Sequence, residues 1–203
     1  MAAAPTDRVA TLNTITPIII AGWCWVGLLT VWFISALFTN RSRYKENPLK
    51  RLLPTLPLAF AIYITFGYRH HPFIHVTLYS TGWANPMMYP AILTTIAGCA
   101  FAIWARIILG SNWSGRATVK AGHELIVRGP YAVARHPIYT GLLLASIGTA
   151  LAMAEWRCIL GLALIVIVFA AKISQEEKLM LQTFPEAYPR YRQRVKALFP
   201  GLL

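Results

Sequence analysis

Long uncharged stretches separated by basic clusters dominate the chain. No charged residue occurs between Arg8 and Arg41, and this stretch includes the apolar run 16–38. A helix of about 20 apolar residues can cross the hydrocarbon core of a bilayer. The run lacks the polar face that a surface helix of a soluble protein carries. We therefore expect a first transmembrane helix here.

Four further apolar stretches are candidates for membrane helices. They cover residues 52–68, 88–109, 138–154 and 156–171. The last two are separated by only a few residues around Glu155, which favours a tight helical hairpin. The pattern thus predicts an all-α integral membrane fold with about five transmembrane helices.

The basic residues in the connecting segments test this count. With five spans, fifteen Lys and Arg residues fall on one side of the membrane and three on the other, while Arg106 lies inside the third span. Basic residues concentrate in cytoplasmic loops. The distribution therefore predicts that the N-terminus lies outside, and that the C-terminus and the long segment 110–137 lie in the cytoplasm.

Composition excludes several classes of protein. Hydrophobic residues make up 57% of the 203 residues and charged residues 13%, whereas a soluble domain has about 25% charged residues. Mean hydropathy is +0.53. The net charge of +12 on such an apolar chain favours membrane lipids over nucleic acid as partners. No Gly-rich motif of the Rossmann or P-loop kind is present, so neither type of nucleotide site is predicted.

The sequence does not predict a metal site. The three cysteines lie in apolar runs without a Cys-x-x-Cys pair, so we expect small buried apolar residues. His70, His71 and His75 form a cluster, and three histidines can bind a metal ion. Because no carboxylate or cysteine lies nearby to complete a site, we interpret the cluster as an interfacial loop.

Side chains that could take part in binding or catalysis concentrate on the predicted cytoplasmic side. The segment 110–137 mixes glycine, charge and aromatic residues, and connections of this length are usually functional or disordered. Its Gly-Pro pair at 129–130 predicts a turn, and the Arg-His-Pro triplet at 135–137 puts proline where a helix can begin. We expect two regions: an N-terminal transmembrane region of three helices, residues 1–110, and a second region, residues 111–203, that would carry any catalytic residues.

Two adjacent carboxylates, Glu176 and Glu177, follow the fifth apolar stretch. Carboxylates at the end of a membrane helix are costly unless they are solvated or paired. Lys172 and Glu176 are four residues apart and therefore share one face of a helix. Taken alone, this pattern favours a solvated helix end over a functional site.

Together these motifs resemble the isoprenylcysteine carboxyl methyltransferase family. Residues 129–141 fit the pattern Gly-Pro-Tyr-x-x-x-Arg-His-Pro-x-Tyr-x-Gly, and the Glu pair at 176–177 is followed by the spaced residues Phe184, Tyr188, Tyr191 and Val195. The resemblance covers residues 119–200. Members of this family are integral membrane enzymes that use S-adenosylmethionine, and the wider group includes phospholipid N-methyltransferases.

The resemblance implies S-adenosyl-L-methionine as cofactor and S-adenosyl-L-homocysteine as its product. It also implies a set of cofactor-binding residues, which are Arg116, His123, Glu124, Leu125, Ile126, Tyr131, His136, Pro137, Ile138, Tyr139, Glu176 and Glu177. Arg116 departs from the family pattern, because some members have a cofactor-contacting glutamine at this position.

Lys172, Glu176 and Arg135 are the candidate catalytic residues. Lys172 stands where the eukaryotic enzymes have an arginine that faces the substrate carboxylate. Lysine offers a point charge there and not a bidentate fork. The function that the resemblance implies is methylation of the carboxylate of a lipidated cysteine or similar lipophilic acceptor, which enters from the bilayer.

This function implies a multi-pass membrane protein with its active site facing the cytoplasm. The membrane would be the plasma or inner membrane of a prokaryote, or the endoplasmic reticulum of a eukaryote. The sequence leaves two alternatives open. One is a phospholipid or amine N-methyltransferase, and the other is a non-catalytic membrane scaffold that has the same fold.

Overall fold

Helices form nearly all of the ordered structure. The computed structural model describes residues 5–37, 55–66, 77–110 and 125–198, and within these ranges it contains no strand beyond one isolated bridge pair. The elements are α1 Pro5–Leu37, α2 Thr55–Phe66, α3 Met88–Leu109, a 3₁₀ turn Gly129–Ala132, α4 Pro137–Met153, α5 Arg157–Thr183 and α6 Ala187–Arg194. The predicted all-α class is confirmed for this part of the chain.

Three of the predicted spans are helices long and apolar enough to cross a membrane. They are Pro17–Leu37 within α1, Met88–Leu109, which is all of α3, and Arg157–Thr183, which is α5. Large apolar side chains stand on their outer surfaces, with Trp23 69% and Phe33 70% exposed. Extended apolar surface of this kind marks contact with lipid or with another apolar partner.

The other two predicted spans form shorter apolar helices. Helix α2 has 12 residues and α4 has 17. At 1.5 Å per residue, α2 is about 18 Å long, which is less than the roughly 30 Å of bilayer hydrocarbon. The five-span topology and the sides on which the termini lie therefore stay predictions.

The fifth apolar stretch lies within a longer helix, as the helical spacing of Lys172 and Glu176 implies. The predicted membrane span ended at residue 171, and α5 continues to Thr183. Apolar character stops near residue 171, whereas the residues beyond it, such as Lys, Glu, Leu and Met, are good helix formers. Hydrophobicity therefore marks the membrane boundary but not the helix end. As a result, Lys172 and the Glu pair share one continuous helix with the apolar span.

Small residues allow α3 and α4 to pack in close contact along their lengths. A Cβ atom on Gly141 would lie 2.6 Å from both the Gly98 carbonyl oxygen and the Ala102 nitrogen, and a Cβ atom on Gly148 would lie 2.5 Å from the Ala91 oxygen. Membrane helices associate through such positions because their backbones can then approach closely. This contact fixes the position of α4, whose first turn carries several of the predicted cofactor residues.

Helix α4 lies between two helix pairs. Helix α1 packs on α3 and α4, and α2 packs on α5. The Trp25 indole Nε1 donates a hydrogen bond of 3.0 Å to Thr149 Oγ1, which connects α1 to α4. On the other side, Leu143 of α4 packs with Ile165 and Phe169 of α5. Helix α4 is therefore held from both sides, by α1 near its end and by α5 in its first half.

The predicted tight hairpin between α4 and α5 is confirmed. Ala154 closes α4 in the left-handed conformation, with a φ of 55°. Glu155 is buried and forms an ion pair with the buried Arg157. The Arg157 guanidinium also donates a 2.9 Å hydrogen bond to the Ile64 carbonyl near the end of α2. Because the connection is so short, the start of α4 and the end of α5 come together at the opposite end of the bundle.

We expect Gly98→Ala to destabilise the protein. The added methyl group meets the backbone of α4, and overpacking of this kind costs about 1–3 kcal/mol. For a chain of this length that cost lowers the melting temperature by several degrees. Thermal unfolding in detergent measures the change.

Gly27→Ala on α1 is the matched control. A Cβ atom at Gly27 has no neighbour within 4 Å in the described structure, and alanine is the better helix former. Its melting temperature should therefore equal or exceed that of the wild type. An equal decrease in melting temperature in the two variants would contradict the close contact between α3 and α4.

Candidate functional site

The candidate site lies where α4 begins and α5 ends. Pro137 is the first residue of α4 and is fully buried. Proline suits this position because it lacks an N–H group that the helix could not satisfy. The preceding His136 makes no side-chain capping bond, so its imidazole ring is available to groups on α5.

Glu176 is the carboxylate that stays accessible. The Tyr139 hydroxyl donates a 2.6 Å hydrogen bond to Glu176 Oε1, and His136 Nδ1 lies 3.4 Å from Glu176 Oε2. The side chain of Glu176 nevertheless keeps 35% of its surface exposed. It is thus oriented by α4 and still able to accept further hydrogen bonds.

Glu177 is held by positive charge. Arg135 donates from Nε and Nη2 to Glu177 Oε1 at 2.9 and 2.5 Å. His136 Nε2 lies 3.5 Å from the same oxygen, and Arg192 Nε lies 3.5 Å from Oε2. The Glu177 side chain is only 12% exposed. A buried carboxylate is tolerable because these cations compensate its lost hydration.

The chain after α6 is attached to the start of α4. Arg135 Nη1 donates to the carbonyls of Val195 and Arg192 at 2.5 and 3.3 Å. The backbone N–H groups of Arg135 and His136 donate to the carbonyls of Lys196 and Ala197 at 2.8 and 2.9 Å. This hydrogen-bonded segment, residues 192–197, we call the tail strap.

A second contact holds α6 against the 3₁₀ turn. The Tyr191 hydroxyl donates a 2.6 Å hydrogen bond to the Tyr131 carbonyl, and both side chains are buried. Tyr188, three residues earlier on α6, is also buried and its ring contacts that of Tyr191. Gly129 allows the turn itself, because its φ of 60° favours glycine.

His136 lies between the two carboxylates and is 8% exposed. Burial disfavours the charged imidazolium and lowers its pKa, but hydrogen bonding and charge attraction from Glu176 and Glu177 outweigh burial. The pKa of His136 therefore lies above its ordinary value of 6.5. Among the described residues, no group makes a hydrogen bond of good geometry to His136 Nε2.

The structure brings together five of the predicted site residues, which are Arg135, His136, Tyr139, Glu176 and Glu177. Four others are close to them in the chain: Tyr131 is buried, Pro137 begins α4, Ile138 follows it half-buried, and Lys172 is half-buried one turn before Glu176.

Not every predicted residue can be located in this way. Leu125 and Ile126 are half-buried at the beginning of the last described range. Arg116, His123 and Glu124, and the histidine cluster at 70–75, lie outside the residues that the structure describes. The predicted roles of all these residues stay predictions.

Sequence reasoning did not identify two contributors to the site. Arg192 of α6 forms an ion pair with Glu177, and the carbonyls of the tail strap accept hydrogen bonds from Arg135. Backbone acceptors leave no mark in a sequence. The spacing of Tyr188 and Tyr191 was visible, since residues three apart share a helix face, but it does not reveal what that face contacts.

Comparison with known proteins supports the resemblance. Residues 91–182 match the model of the isoprenylcysteine carboxyl methyltransferase (ICMT) family. The matched segment begins inside α3 and contains all of α4, most of α5 and both glutamates. The resemblance predicted from the motifs is thereby confirmed over this segment.

Similar curated proteins carry two kinds of name. Protein-S-isoprenylcysteine O-methyltransferase B of Arabidopsis thaliana is 35% identical over 79 residues, which are 38% of this chain and 40% of that protein. Protein-S-isoprenylcysteine O-methyltransferase of Schizosaccharomyces pombe is 30% identical over 79 residues, 38% of this chain and 34% of that protein. Cobalt-zinc-cadmium resistance protein CzcN of Cupriavidus metallidurans is 32% identical over 124 residues, 59% of this chain and 54% of that protein. The chain thus spans about half or less of each of these relatives.

We expect the contribution of His136 to stability to fall as the pH rises. Its pKa is higher in the folded protein than in the unfolded chain, so its stabilisation is fully present below the unfolded value of about 6.5 and is lost as the pH rises through the folded value. Melting temperatures of the wild type and of His136→Gln, compared between mildly acidic and alkaline pH, measure this contribution.

The gap between the two melting temperatures should narrow as the pH increases. Glu186→Gln, which changes an exposed residue of the same region, controls for unrelated effects of pH, since its side chain is 88% exposed. A gap between wild type and His136→Gln that stays constant, or that widens, would contradict a charged His136 between the two carboxylates.

Proposed function

We propose that this chain is an integral membrane methyltransferase that uses S-adenosylmethionine and methylates the carboxylate of a lipophilic acceptor. The observation that carries the proposal is the environment of Glu176. Tyr139 and His136 of one helix orient the carboxylate from the next, and yet its side chain stays one-third exposed. The match of residues 91–182 to the methyltransferase family supports the same conclusion.

The residues present fit the proposed cofactor. S-adenosylmethionine is a cation at its sulfur and carries an ammonium group and two ribose hydroxyls, all of which favour a carboxylate partner. Glu176 offers such a carboxylate, and the buried His136 Nε2 lacks a good hydrogen-bond partner among the described residues. Glu176, His136 and Tyr139 would therefore hold the cofactor, which supplies an electrophilic methyl group when bound.

The other predicted cofactor residues belong to the same proposal. Tyr131, Pro137 and Ile138 surround the start of α4, where they can shield the cofactor from water. Glu177 differs from Glu176 because Arg135, His136 and Arg192 already surround it. We assign Glu177 and Arg135 the task of fixing the tail strap and orienting His136, and not that of contacting the reacting atoms.

The site would lie at the cytoplasmic boundary of the membrane. A charged, water-borne cofactor needs access from the cytosol, whereas a lipophilic acceptor arrives through the bilayer. The end of the bundle where α4 begins follows the 3₁₀ turn and adjoins the basic helix α6. Concentration of basic residues at this end agrees with a cytoplasmic position, within the five-span topology that the sequence predicts.

Lys172 would recognise the acceptor. It lies one turn before Glu176 on α5, where the helix leaves its apolar run, so its ammonium group can meet a carboxylate whose apolar part remains in lipid. An ionised carboxylate is already nucleophilic and needs no general base, whereas an ammonium acceptor must first lose a proton. Holding donor and acceptor in line and excluding water can lower the activation free energy by about 7–11 kcal/mol.

The acceptor class separates this proposal from its alternatives. Purified protein in lipid bilayers, supplied with methyl-labelled cofactor and an S-prenylated cysteine with a free carboxylate, should yield a label that mild base releases as methanol. A label that withstands base and stays on phospholipid would favour N-methylation instead. No transfer and no cofactor binding would favour a non-catalytic scaffold.

We expect Glu176→Gln to weaken binding of S-adenosylhomocysteine by roughly ten- to a hundredfold. The change removes the charge from a hydrogen-bonded carboxylate, and hydrogen bonds to charged groups contribute about 1.5–3 kcal/mol. Isothermal titration calorimetry in detergent measures the dissociation constant.

Glu186→Gln is the matched control for this variant. Glu186 carries the same side chain, is 88% exposed and interacts only weakly with Arg190 at 3.6 Å. The affinity of Glu186→Gln for S-adenosylhomocysteine should therefore equal that of the wild type. Wild-type affinity in Glu176→Gln, with Tyr139 and the fold intact, would overturn the assignment of the cofactor site.

We expect Lys172→Ala to raise KM for the carboxylate acceptor roughly tenfold or more, because a charge-assisted contact is lost. The affinity for S-adenosylhomocysteine should change much less. Lys172→Arg should retain activity, and Lys178→Ala on the exposed side of α5 serves as a control. Steady-state kinetics with varied acceptor, together with calorimetry, separates the two effects. Equal losses for acceptor and cofactor would contradict the role of Lys172.

A further inference from the structure

We propose that α6 docks on anionic phospholipid headgroups through Arg190 and Arg194, and that this docking stabilises the tail strap at the candidate site. The proposal concerns a surface that the methylation reaction itself does not require. It makes the protein sensitive to the charge of the surrounding bilayer.

The two arginines are exposed on α6. They are four residues apart and therefore neighbours on the helix surface, while Tyr188 and Tyr191 are buried against the rest of the protein. The side chain of Arg190 is 75% exposed, and Arg194 is exposed as well. Glu186 shares the face of Arg190 and lies 3.6 Å from it, but it is the only acidic residue between 184 and 198, against four basic residues in the same segment. This surface therefore suits an anion and not a cation.

Both ends of α6 are tied to helices of the apolar core. Its N-terminal side follows α5 directly, after only three residues. On its C-terminal side, Leu198 packs against the apolar cluster of Ala61, Leu143, Ile165 and Phe169. Leu198 comes four positions after Arg194, and a chain of that length spans at most about 14 Å. Helix α6 therefore stays close to the boundary of the apolar region, where lipid headgroups lie.

The same helix is connected to the site. Arg192, between the two outward arginines, lies 3.5 Å from Glu177 through its Nε atom. The carbonyls of Arg192 and Val195 receive hydrogen bonds from Arg135, which also binds Glu177. Any interaction that holds α6 in place consequently holds Arg135, Glu177 and, through them, His136. An anionic bilayer would act on the site through this connection.

Hydrogen–deuterium exchange of the full-length protein in nanodiscs tests the docking. Nanodiscs of phosphatidylcholine alone are compared with nanodiscs that also contain phosphatidylglycerol. Each basic residue near an anionic surface contributes about a fivefold factor to binding. We therefore expect the backbone amides of residues 190–197 to exchange at least about fivefold more slowly in the anionic nanodiscs, and high salt should remove this difference.

Three variants make the result specific. Arg190→Gln combined with Arg194→Gln should abolish the dependence on phosphatidylglycerol. Arg190→Lys combined with Arg194→Lys should keep it, because headgroup attraction needs only point charges. Arg128→Gln combined with Lys178→Gln removes the same charge from exposed positions elsewhere and should also keep it. Equal amide exchange of the wild type in both bilayers would overturn the proposal. An equal loss of the phosphatidylglycerol dependence in the first and third variants would also overturn it.

Two further measurements identify the ligand and the connection. Inorganic phosphate added to phosphatidylcholine nanodiscs should give no protection, and full protection by phosphate would show a free-anion site instead of bilayer docking. The affinity for S-adenosylhomocysteine should increase a few-fold in anionic nanodiscs; this part rests on the proposed function. Protection without any cofactor binding would contradict the proposed function and leave docking supported, whereas protection with an unchanged affinity would overturn the connection to the site.

Discussion

Two adjacent carboxylates at the end of an apolar helix have to be compensated in different ways, and the candidate site depends on this difference. Neighbouring residues on a helix point about 100° apart, so Glu176 and Glu177 meet different surroundings. Glu177 turns towards Arg135 and Arg192 and is almost completely enclosed. Among the polar side chains that the structure describes, the Tyr139 hydroxyl and one nitrogen of His136 contact Glu176. One carboxylate is thus used to assemble the site, and the other remains able to bind a ligand.

This arrangement requires α4 and α5 to be correctly aligned about 25 Å from the turn that connects them, since α4 has 17 residues at 1.5 Å each. Two features of the helix packing fix the alignment. The short turn at Ala154 and the buried pair of Glu155 and Arg157 hold one end. The close approach at Gly98 and Gly141 prevents α4 from sliding along α3. The geometry of the carboxylates is therefore a consequence of packing that contains no reactive group.

Hydrophobic pattern predicted the fold well wherever a helix ends together with its apolar stretch. Helix α3 has the predicted bounds, 88–109, and α4 begins and ends within one residue of the prediction. For α5 the apolar stretch marks only part of the helix, because polar residues with high helix propensity extend it beyond residue 171. For α2, the structure describes a helix of 12 residues within the predicted stretch 52–68.

The site could be predicted from sequence only in part. The motifs identified His136, Tyr139 and the Glu pair, but they could not show which carboxylate stays accessible. That difference is decided by Arg135, whose guanidinium is occupied by Glu177 and by backbone carbonyls of the tail strap. Partners of this kind are set by tertiary structure, and carbonyl acceptors are present at every residue. The catalytic role predicted for Arg135 stays a prediction, and its contacts in the structure are with Glu177 and with backbone carbonyls.

The chemistry of the proposed reaction explains why an enclosed site at a membrane boundary suits it. A sulfonium donor and a carboxylate acceptor have opposite charges, and these charges diminish as the methyl group is transferred. A medium of low polarity solvates the separated charges poorly, so it raises the energy of the reactants more than that of a transition state in which charge is already partly neutralised. An amine acceptor carries no negative charge to lose and gains no such advantage. In the proposed site, the tail strap and the buried start of α4 would reduce the access of water, and Glu176 would offset the cost of bringing a cationic donor there. Exclusion of water and the choice of a carboxylate acceptor are thus linked by the same electrostatic argument.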